Sequence, residues 1–139
     1  LRGYFSLQIT KTKMGYLENF NQAQKSEVFE GWKVLQDEHQ LEEILEASKH
    51  KPIVIFKHST RCGTSESAKH TLMNNWDFAG HELDFYYLDL LRFRTISNRI
   101  AEDYNITHQS PQVLLVKDGK VAFHTSHHRI SVNGLRENL

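Results

Sequence analysis

Cysteine is almost absent from this sequence, in which Cys62 is the only one among 139 residues. A single cysteine excludes an internal disulfide, so the thiol adds no covalent link to the scaffold. A free thiol in an oxidising compartment risks unwanted pairing, which favours a reducing compartment. A lone cysteine without further context is most simply a buried, inert side chain. Its neighbours in the sequence therefore decide whether it is reactive.

An excess of charge is also lacking, since Lys+Arg and Asp+Glu both number 17. This balance removes the electrostatic reason to expect nucleic acid or an anionic membrane as a partner. Long apolar runs are missing as well, because the longest, at residues 53–56 and 113–116, suit buried strands and are far too short to cross a bilayer. No continuous apolar stretch of the secretory type stands at the N-terminus, so we expect a cytoplasmic protein.

Patterned sequence begins near Trp32. Residues 1–30 are polar and show little periodicity, which predicts a loosely ordered N-terminal extension. Residues 31–139 are long enough to form one domain with a substantial core. The content of 39% hydrophobic and 24% charged residues is typical of a globular protein.

Periodicity within residues 31–139 predicts alternating strands and helices. The predicted strands are 32–35, 53–57, 83–90, 113–116 and 121–124, with helices after the first three strands and a short one at about 132–137. The third helix is predicted at 97–104, and the second places Ala68, Leu72, Met73 and Trp76 on its inner side. Leu41, Ile44, Leu45 and Ser48 give the first helix its spacing.

The element order predicts an α/β fold. Helical crossovers in the first half imply parallel strands, whereas Asp118-Gly119 between the last two strands is a strong hairpin signal and adds antiparallel strands. We therefore expect a mixed central sheet of four to five strands with helices on both faces. Pro111 directly precedes the hairpin, where its missing N–H is tolerated, and in a tight turn the Ser110-Pro111 bond is a candidate for the cis form.

Cys62 lies between the predicted central strand and the second helix, at the edge where open α/β sheets bind ligands. The unpaired N–H groups and partial positive charge of a helix start favour a thiolate over a thiol. Arg61 is adjacent, and Lys57 and His58 end the preceding strand, so the local field should be positive. These neighbours predict a reactive thiol.

Ser65 stands three residues after Cys62, where a dithiol oxidoreductase carries its second cysteine. A serine can donate a hydrogen bond to the thiolate but cannot resolve a mixed disulfide. A separate thiol must then remove any adduct from Cys62. Serine in a first helical turn is also expected for capping alone, and the two roles are compatible.

A family resemblance rests on these motifs. This order of elements resembles the thioredoxin fold: a strand, a Cys-x-x-Ser motif, a helix and then Ser-Pro before a hairpin. In that fold a cis-proline loop faces the active cysteine. More narrowly, the sequence resembles the monothiol bacilliredoxin (bacillithiol-system YtxJ) family in FKHSTRCGTS at 56–65, SNRIA at 97–101, HQSPQ at 108–112 and FHTSH at 123–127. The resemblance runs from about Trp32 to the C-terminus and implies that residues 31–139 form a thioredoxin-like domain.

The resemblance implies a monothiol disulfide oxidoreductase that removes bacillithiol, or a similar glutathione-like thiol, from S-thiolated proteins. Cys62 would attack the small thiol's sulfur, with Arg61 and Ser65 stabilising the thiolate. The residues assigned to substrate binding are Ser59, Thr64, His108, Ser110 and Pro111. The small thiol is the co-substrate and a reductase is a further candidate partner, whereas no metal, nucleic acid or membrane is expected.

One departure from the family pattern leaves alternatives open. The family usually has Pro-Ile where this chain has Gly63-Thr64, and glycine leaves an extra N–H at the first turn. The sequence at 61–65 also resembles monothiol glutaredoxins, some of which hold iron–sulfur clusters between two protomers with glutathione. Against an iron–sulfur carrier, no Gly-Gly-x-Asp follows the hairpin. A non-catalytic thioredoxin-fold binding module is the other alternative.

The histidines raise two further questions. His108 lies three residues before Pro111 and could approach Cys62, favouring the thiolate or holding a carboxylate of the small thiol; equally, it could bond only to the backbone. His124, His127 and His128 suggest a metal site, but on a strand His124 and His128 would lie over ~13 Å apart. We therefore expect no metal there.

Overall fold

The structure is a computed structural model that describes residues 29–139. The extension predicted at 1–30 lies almost entirely outside the described residues and stays a prediction. The described elements are β1 (Trp32–Val34), α1 (His39–Ala47), β2 (Ile53–His58), α2 (Gly63–Asn74), β3 (Asp84–Asp89), α3 (Arg94–Tyr104), β4 (Gln112–Lys117), β5 (Lys120–Ser126) and α4 (Val132–Glu137). A 3-10 turn, His127–Arg129, joins β5 to α4. Among residues 29–139, no helix has the length and apolar character needed to span a membrane.

The five described strands form one mixed sheet in the order β1-β3-β2-β4-β5. β3 runs parallel to both β1 and β2, whereas β4 runs antiparallel to β2 and to β5. The predicted α/β class and the arrangement of parallel and antiparallel strands are confirmed. β2 is the central strand of the sheet and is buried along its whole length, so the residues that follow it emerge from the middle of the sheet.

The β4–β5 hairpin turns at Asp118-Gly119, as the sequence predicted. Both residues have positive φ, 50° and 74°, which is the backbone that a two-residue type I′ turn needs. Their amides donate to Ser48 at the end of α1, Asp118 to its carbonyl at 2.8 Å and Gly119 to its hydroxyl at 2.9 Å. The turn is thereby fixed to the helix beneath it.

The two faces of the sheet carry different cores. Ile53 and Ile55 of β2 face an aliphatic cluster completed by Leu41 and Ile44 of α1 and by Ile100 of α3. The alternate residues of a strand point the other way, so Phe56 belongs to the opposite face. An aromatic group packs there, formed by Trp32, Phe56, Trp76, Phe78, Phe85 and Tyr87. Helices thus cover both faces, α1 and α3 on the aliphatic side and α2 on the aromatic side.

Three details of the helices differ from the prediction. α3 begins at Arg94 rather than residue 97, because Ile96 and Ser97 are already buried in its first turn. α2 ends at Asn74, so Trp76 packs on Trp32, at 5.4 Å between ring centroids, from the segment after the helix. Leu45 is 45% exposed although it has helical spacing.

The exposure of Leu45 has a simple physical reason. Leu41, Ile44 and Ser48 already form the buried stripe of α1, and Leu45 lies at its margin. Its Cδ1 would be 3.2 Å from a Cβ placed at Gly119, so it lies against the hairpin turn instead of the core. On α2, Met73 is likewise only half-buried.

Candidate active site at the carboxyl end of β2

Cys62 is the N-cap residue of α2. Its backbone is extended (φ −113°, ψ 119°), and its carbonyl accepts the first helical bond, from the Glu66 amide at 3.0 Å. The Cys62 amide donates to the Ser59 carbonyl at 3.2 Å, and the residue is half-buried. The amides of the first turn therefore begin directly beside the cysteine, in the position predicted from the sequence.

Ser65 is fully buried and braces this loop. Its Oγ accepts a hydrogen bond from the Ser59 amide at 2.9 Å. Ser59 is thus bonded through its carbonyl to Cys62 and through its amide to Ser65, which joins all three into one compact turn. Within residues 29–139 no hydrogen bond links the Ser65 hydroxyl to the Cys62 sulfur, so the bond predicted to the thiolate stays a prediction.

Two grooves are lined by the chain neighbours of Cys62, one by the residues before it and the other by the residues after it. On the side of Thr60 and Arg61 lies a hollow of about 380 Å³, whose other lining residues include Asp89 and Arg92. A larger groove of about 650 Å³, which we call the α2 groove, is lined by Gly63, Thr64, Ser67, Ala68, Thr71, His127, His128 and Ile130. Arg61 and Thr64 are both exposed, and Arg61 lines the first groove whereas Thr64 lines the α2 groove.

Ser110 and Pro111 are joined by a cis peptide bond. Gln112, the next residue, is paired in register with Lys57 at the end of β2, so the cis-proline loop lies beside the strand that leads to Cys62. The buried Pro111 accepts a hydrogen bond at its carbonyl from the His127 amide at 3.0 Å. This bond connects the cis-proline loop to the 3-10 turn of the α2 groove.

Gln112 is a structural residue of the site that the sequence reasoning missed. It is 1% exposed, and its side-chain amide donates to the Thr107 carbonyl at 3.0 Å while its oxygen accepts from the Gln109 amide at 3.4 Å. These bonds close the loop that carries His108 and Ser110. The sequence did contain a signal for this role, because Gln112 stands between Pro111 and an apolar strand. A side-chain amide that is buried there needs hydrogen-bond partners.

Lys57 is fully buried on the aliphatic face, with no carboxylate paired to it in the described part of the chain. Its ammonium donates to the Ser97 carbonyl at 3.1 Å and lies 3.3 Å from Nδ1 of His108. Burial lowers the pKa of Lys57 to about 8, because desolvation disfavours the charged form. From the sequence, Lys57 was expected to help make the electrostatic field around Cys62 positive. In the structure its ammonium group faces α3.

His108 contacts this lysine rather than the thiol. Its Nδ1 is 3.3 Å from Lys57 Nζ and 3.5 Å from Ser97 Oγ. Desolvation lowers the pKa of His108, and the charges of Lys57 and Arg94 lower it further. An ammonium group can only donate hydrogen bonds, so we assign Nδ1 of His108 as the acceptor and place the ring proton on Nε2. No hydrogen bond between His108 and Cys62 is present among residues 29–139.

His58 is fully buried on the aromatic face, beneath α2. Its Nε2 lies 3.2 Å from Oε2 of Glu66, and its ring tilts against Phe56 and Tyr87. Burial lowers the pKa of His58, and the Glu66 carboxylate partly opposes that shift. Glu66 belongs to the first turn of the helix that Cys62 caps, so His58 packs under that turn.

The C-terminal histidines lie around the 3-10 turn. His127 has a positive φ of 58°, and its ring centroid is 6.4 Å from that of His128. No group of three or more His, Cys, Asp or Glu side chains arranged to hold a metal occurs between residues 29 and 139.

Comparisons with known proteins agree with this geometry. Residues 33–135 match the family model described as monothiol bacilliredoxin BrxC. A solved structure described as a candidate oxidoreductase with a thioredoxin fold is 27% identical, with a TM-score of 0.64, covering 78% of this chain and 93% of that one.

Two thioredoxins share the fold at lower identity. That of Fasciola hepatica is 22% identical with a TM-score of 0.57, over 76% of this chain and 93% of its own. That of Malassezia sympodialis is 19% identical with a TM-score of 0.60, over 79% of this chain and 90% of its own. The thioredoxin-like fold predicted from the sequence is confirmed.

Proposed function

This chain belongs to the monothiol bacilliredoxin family, whose chemistry is thiol–disulfide exchange, and we propose that it removes bacillithiol, or a similar small thiol, from mixed disulfides on proteins. The observation that carries the proposal is the position of the sequence's only cysteine. Cys62 caps α2, its chain neighbours line the two grooves, and a serine stands where a dithiol enzyme would have its second thiol.

The first step is an exchange of one disulfide for another. The Cys62 thiolate attacks the small-thiol sulfur of a protein mixed disulfide and forms a new S–S bond to it. The bond to the protein sulfur breaks, and that sulfur leaves as a thiolate which takes up a proton. The protein substrate is thereby reduced, and Cys62 carries the small thiol.

The second step needs a thiol from outside the chain. A second small-thiol thiolate, or a thiol of a partner reductase, attacks the adduct sulfur and breaks its bond to Cys62. Cys62 leaves as a thiolate, and the two external sulfurs end as a disulfide. Ser65 cannot supply this thiol, so the exchange stops at the adduct whenever the external thiol is absent.

The surroundings of Cys62 suit a thiolate. The helix N-terminus places partial positive charge beside the sulfur, and the exposed Arg61 adds a full one. Ser65 accepts the Ser59 amide on its oxygen, which leaves its own proton available, and we assign that proton to the Cys62 sulfur once it is ionised. Charge-assisted bonds of this kind are stronger than neutral ones.

The cis-proline loop is assigned to the protein substrate. The backbone at Ser110-Pro111 would pair with an extended segment of that protein beside the thiol. His108 presents its Nε2–H outward because Lys57 occupies Nδ1, so it would act as a hydrogen-bond donor to the substrate. Ser59, which is buried, and Thr64, which is exposed, complete the proposed binding residues. A reducing compartment such as the cytoplasm suits this chemistry.

A kinetic comparison tests the proposal. Wild type and Cys62→Ser are incubated with a bacillithiolated or glutathionylated model protein and excess small thiol, and release of the small thiol is followed. We expect complete loss of the catalysed rate in Cys62→Ser, with an unchanged melting temperature showing that the fold is intact. A Cys62→Ser protein that still releases the small thiol at the wild-type rate would refute the proposal.

A second readout separates a catalyst from a binding module. At pH 6 an ordinary thiol is almost wholly protonated and alkylates slowly. We expect iodoacetamide to modify Cys62 at pH 6 at least about tenfold faster than it modifies free glutathione. Equal rates would favour a non-catalytic module.

A further inference from the structure

We propose that the α2 groove holds the carboxylate-bearing part of the small thiol, with His128 and Arg129 as residues that determine specificity for it. The inference rests on the proposed function and names which side of Cys62 the small thiol occupies. At about 650 Å³, the groove lies within the range of ~300–1,000 Å³ found for small-molecule sites.

The position of the groove fits a ligand bonded to Cys62. Its lining begins at Gly63, whose Cα is one peptide unit, ~3.8 Å, from that of Cys62. It continues along one side of α2 through Ser67 to Thr71. At ~1.5 Å per residue that distance is about 12 Å, enough for a thiol of two or three building blocks.

The chemistry of the lining favours an anion. Among residues 29–139 no carboxylate borders the α2 groove, which is lined by small residues, hydroxyls, two imidazoles and Ile130. A hollow of about 380 Å³ formed by residues 124–129 shares His127 and His128 with it and adds Arg129. The Arg129 guanidinium has no ion-pair partner within the described residues, and an arginine in this state is suited to a carboxylate.

The other groove beside Cys62 is less suitable for an acidic ligand. Alongside Arg61 and Arg92 it is lined by Asp89, whose carboxylate accepts from the Arg92 amide at 3.4 Å and would repel a second carboxylate. Its volume of about 380 Å³ is also smaller. Of the two grooves, only the α2 groove combines the larger volume with a lining that, among residues 29–139, contains no carboxylate.

The backbone of the 3-10 turn is anchored to the cis-proline loop. His127 is in the left-handed region, and its amide is bonded to the Pro111 carbonyl at 3.0 Å. This bond sets the turn against the cis-proline loop and fixes where His128 and Arg129 start. Because the backbone of this turn is already ordered, less conformational entropy is lost when a ligand binds.

The test uses two symmetric disulfides that differ in charge. Glutathione disulfide carries carboxylates, whereas 2-hydroxyethyl disulfide carries none, and each transfers one half to Cys62 as the other half leaves as a thiolate. Adduct formation is followed by intact mass spectrometry for wild type and for His128→Gln/Arg129→Gln. The matched control is His50→Gln/Lys120→Gln, which likewise replaces one histidine and one cationic side chain, on exposed residues outside both grooves.

We expect His128→Gln/Arg129→Gln to react about three- to tenfold more slowly with glutathione disulfide and at the wild-type rate with 2-hydroxyethyl disulfide. The difference in rate between wild type and this variant with glutathione disulfide should become smaller in 1 M salt. The control variant should match wild type with both reagents. Equal slowing with both reagents, or none with glutathione disulfide, would overturn the groove assignment. Failure of the proposed function is distinguishable, because it would appear as wild-type protein that fails to reduce an S-thiolated protein.

Discussion

Lys57 and His58 are consecutive residues of β2, both fully buried, and they meet entirely different surroundings. Lys57 faces the aliphatic side, where its partners are the Ser97 carbonyl and His108. His58 faces the aromatic side, where Glu66 of α2 lies 3.2 Å away. One contact connects the end of β2 to the loop before Pro111, and the other connects it to the helix that Cys62 caps.

Strand β2 therefore supports the site through contacts on both faces of the sheet. Because side chains alternate along β2, one basic side chain points to each face, so the loop before Pro111 and helix α2 are supported by different residues. Neither side chain is hydrogen-bonded to the Cys62 sulfur in the described chain. Their burial lowers both pKa values, and the resulting pH dependences occupy different pH ranges.

The largest expected effect is on the Lys57 side. Folded protein releases the Lys57 proton near pH 8 and the unfolded chain near 10.5, so between these values the unfolded state binds more protons. The free energy of unfolding therefore rises with pH in that interval, by up to about 3 kcal/mol. The cost of burying the ammonium is fully present below pH 8.

Lys57→Met should lack this rise. Denaturant titrations from pH 7 to 10.5 should show the free energy of unfolding of Lys57→Met, relative to wild type, highest at pH 7 and falling with pH. The difference between the two proteins isolates Lys57 from other titrating groups. A difference that stays constant from pH 7 to 10.5 would contradict the assigned pKa.

Gln112→Leu tests the loop on the same side. It leaves the Thr107 carbonyl and the Gln109 amide without their side-chain partner, which should cost about 1–3 kcal/mol of stability and slow dethiolation. Gln109→Leu is the matched control, because it keeps the backbone amide and changes an exposed side chain. Urea unfolding measures the effect. Equal stability of the two variants would refute the stabilising role of the Gln112 side chain in this loop.

His58→Phe tests the aromatic side, where the effect should be smaller because Glu66 offsets part of the desolvation. The folded-state pKa lies below the ordinary 6.5, so the unfolded chain takes up the proton first and stability is lost as pH falls through 6.5. We expect thermal scans between pH 7 and 5 to show a shallower loss for His58→Phe. His70→Gln, exposed and also near Glu66, should keep the wild-type slope.

Much of this architecture could be predicted from sequence, and its limits have identifiable causes. Alternation, spacing and turn residues gave the element order, the mixed sheet and the place of Cys62, because these are local signals. The start of α3 was missed because Phe93, its N-cap residue, provides no side-chain cap. The Lys57–His108 contact joins residues 51 apart, which only the register of the folded sheet brings together.

Gly63→Pro should have the smallest effect and restores the family's residue. Gly63 is the first helical residue, nothing lies within 4 Å of a Cβ placed there, and the extended Cys62 backbone tolerates a following proline. We expect a gain of about 0.4–1 kcal/mol in the free energy of unfolding. A lower melting temperature would show that the Gly63 N–H has a structural role.

The most direct test of the central claim is the mass of the protein after a single turnover. Wild-type protein is mixed with an equimolar S-thiolated protein in the absence of any free thiol, and both are weighed intact. We expect the substrate to lose the small thiol and this chain to gain the same mass once, on Cys62. A reduced substrate with no adduct on Cys62, or no transfer at all, would contradict it.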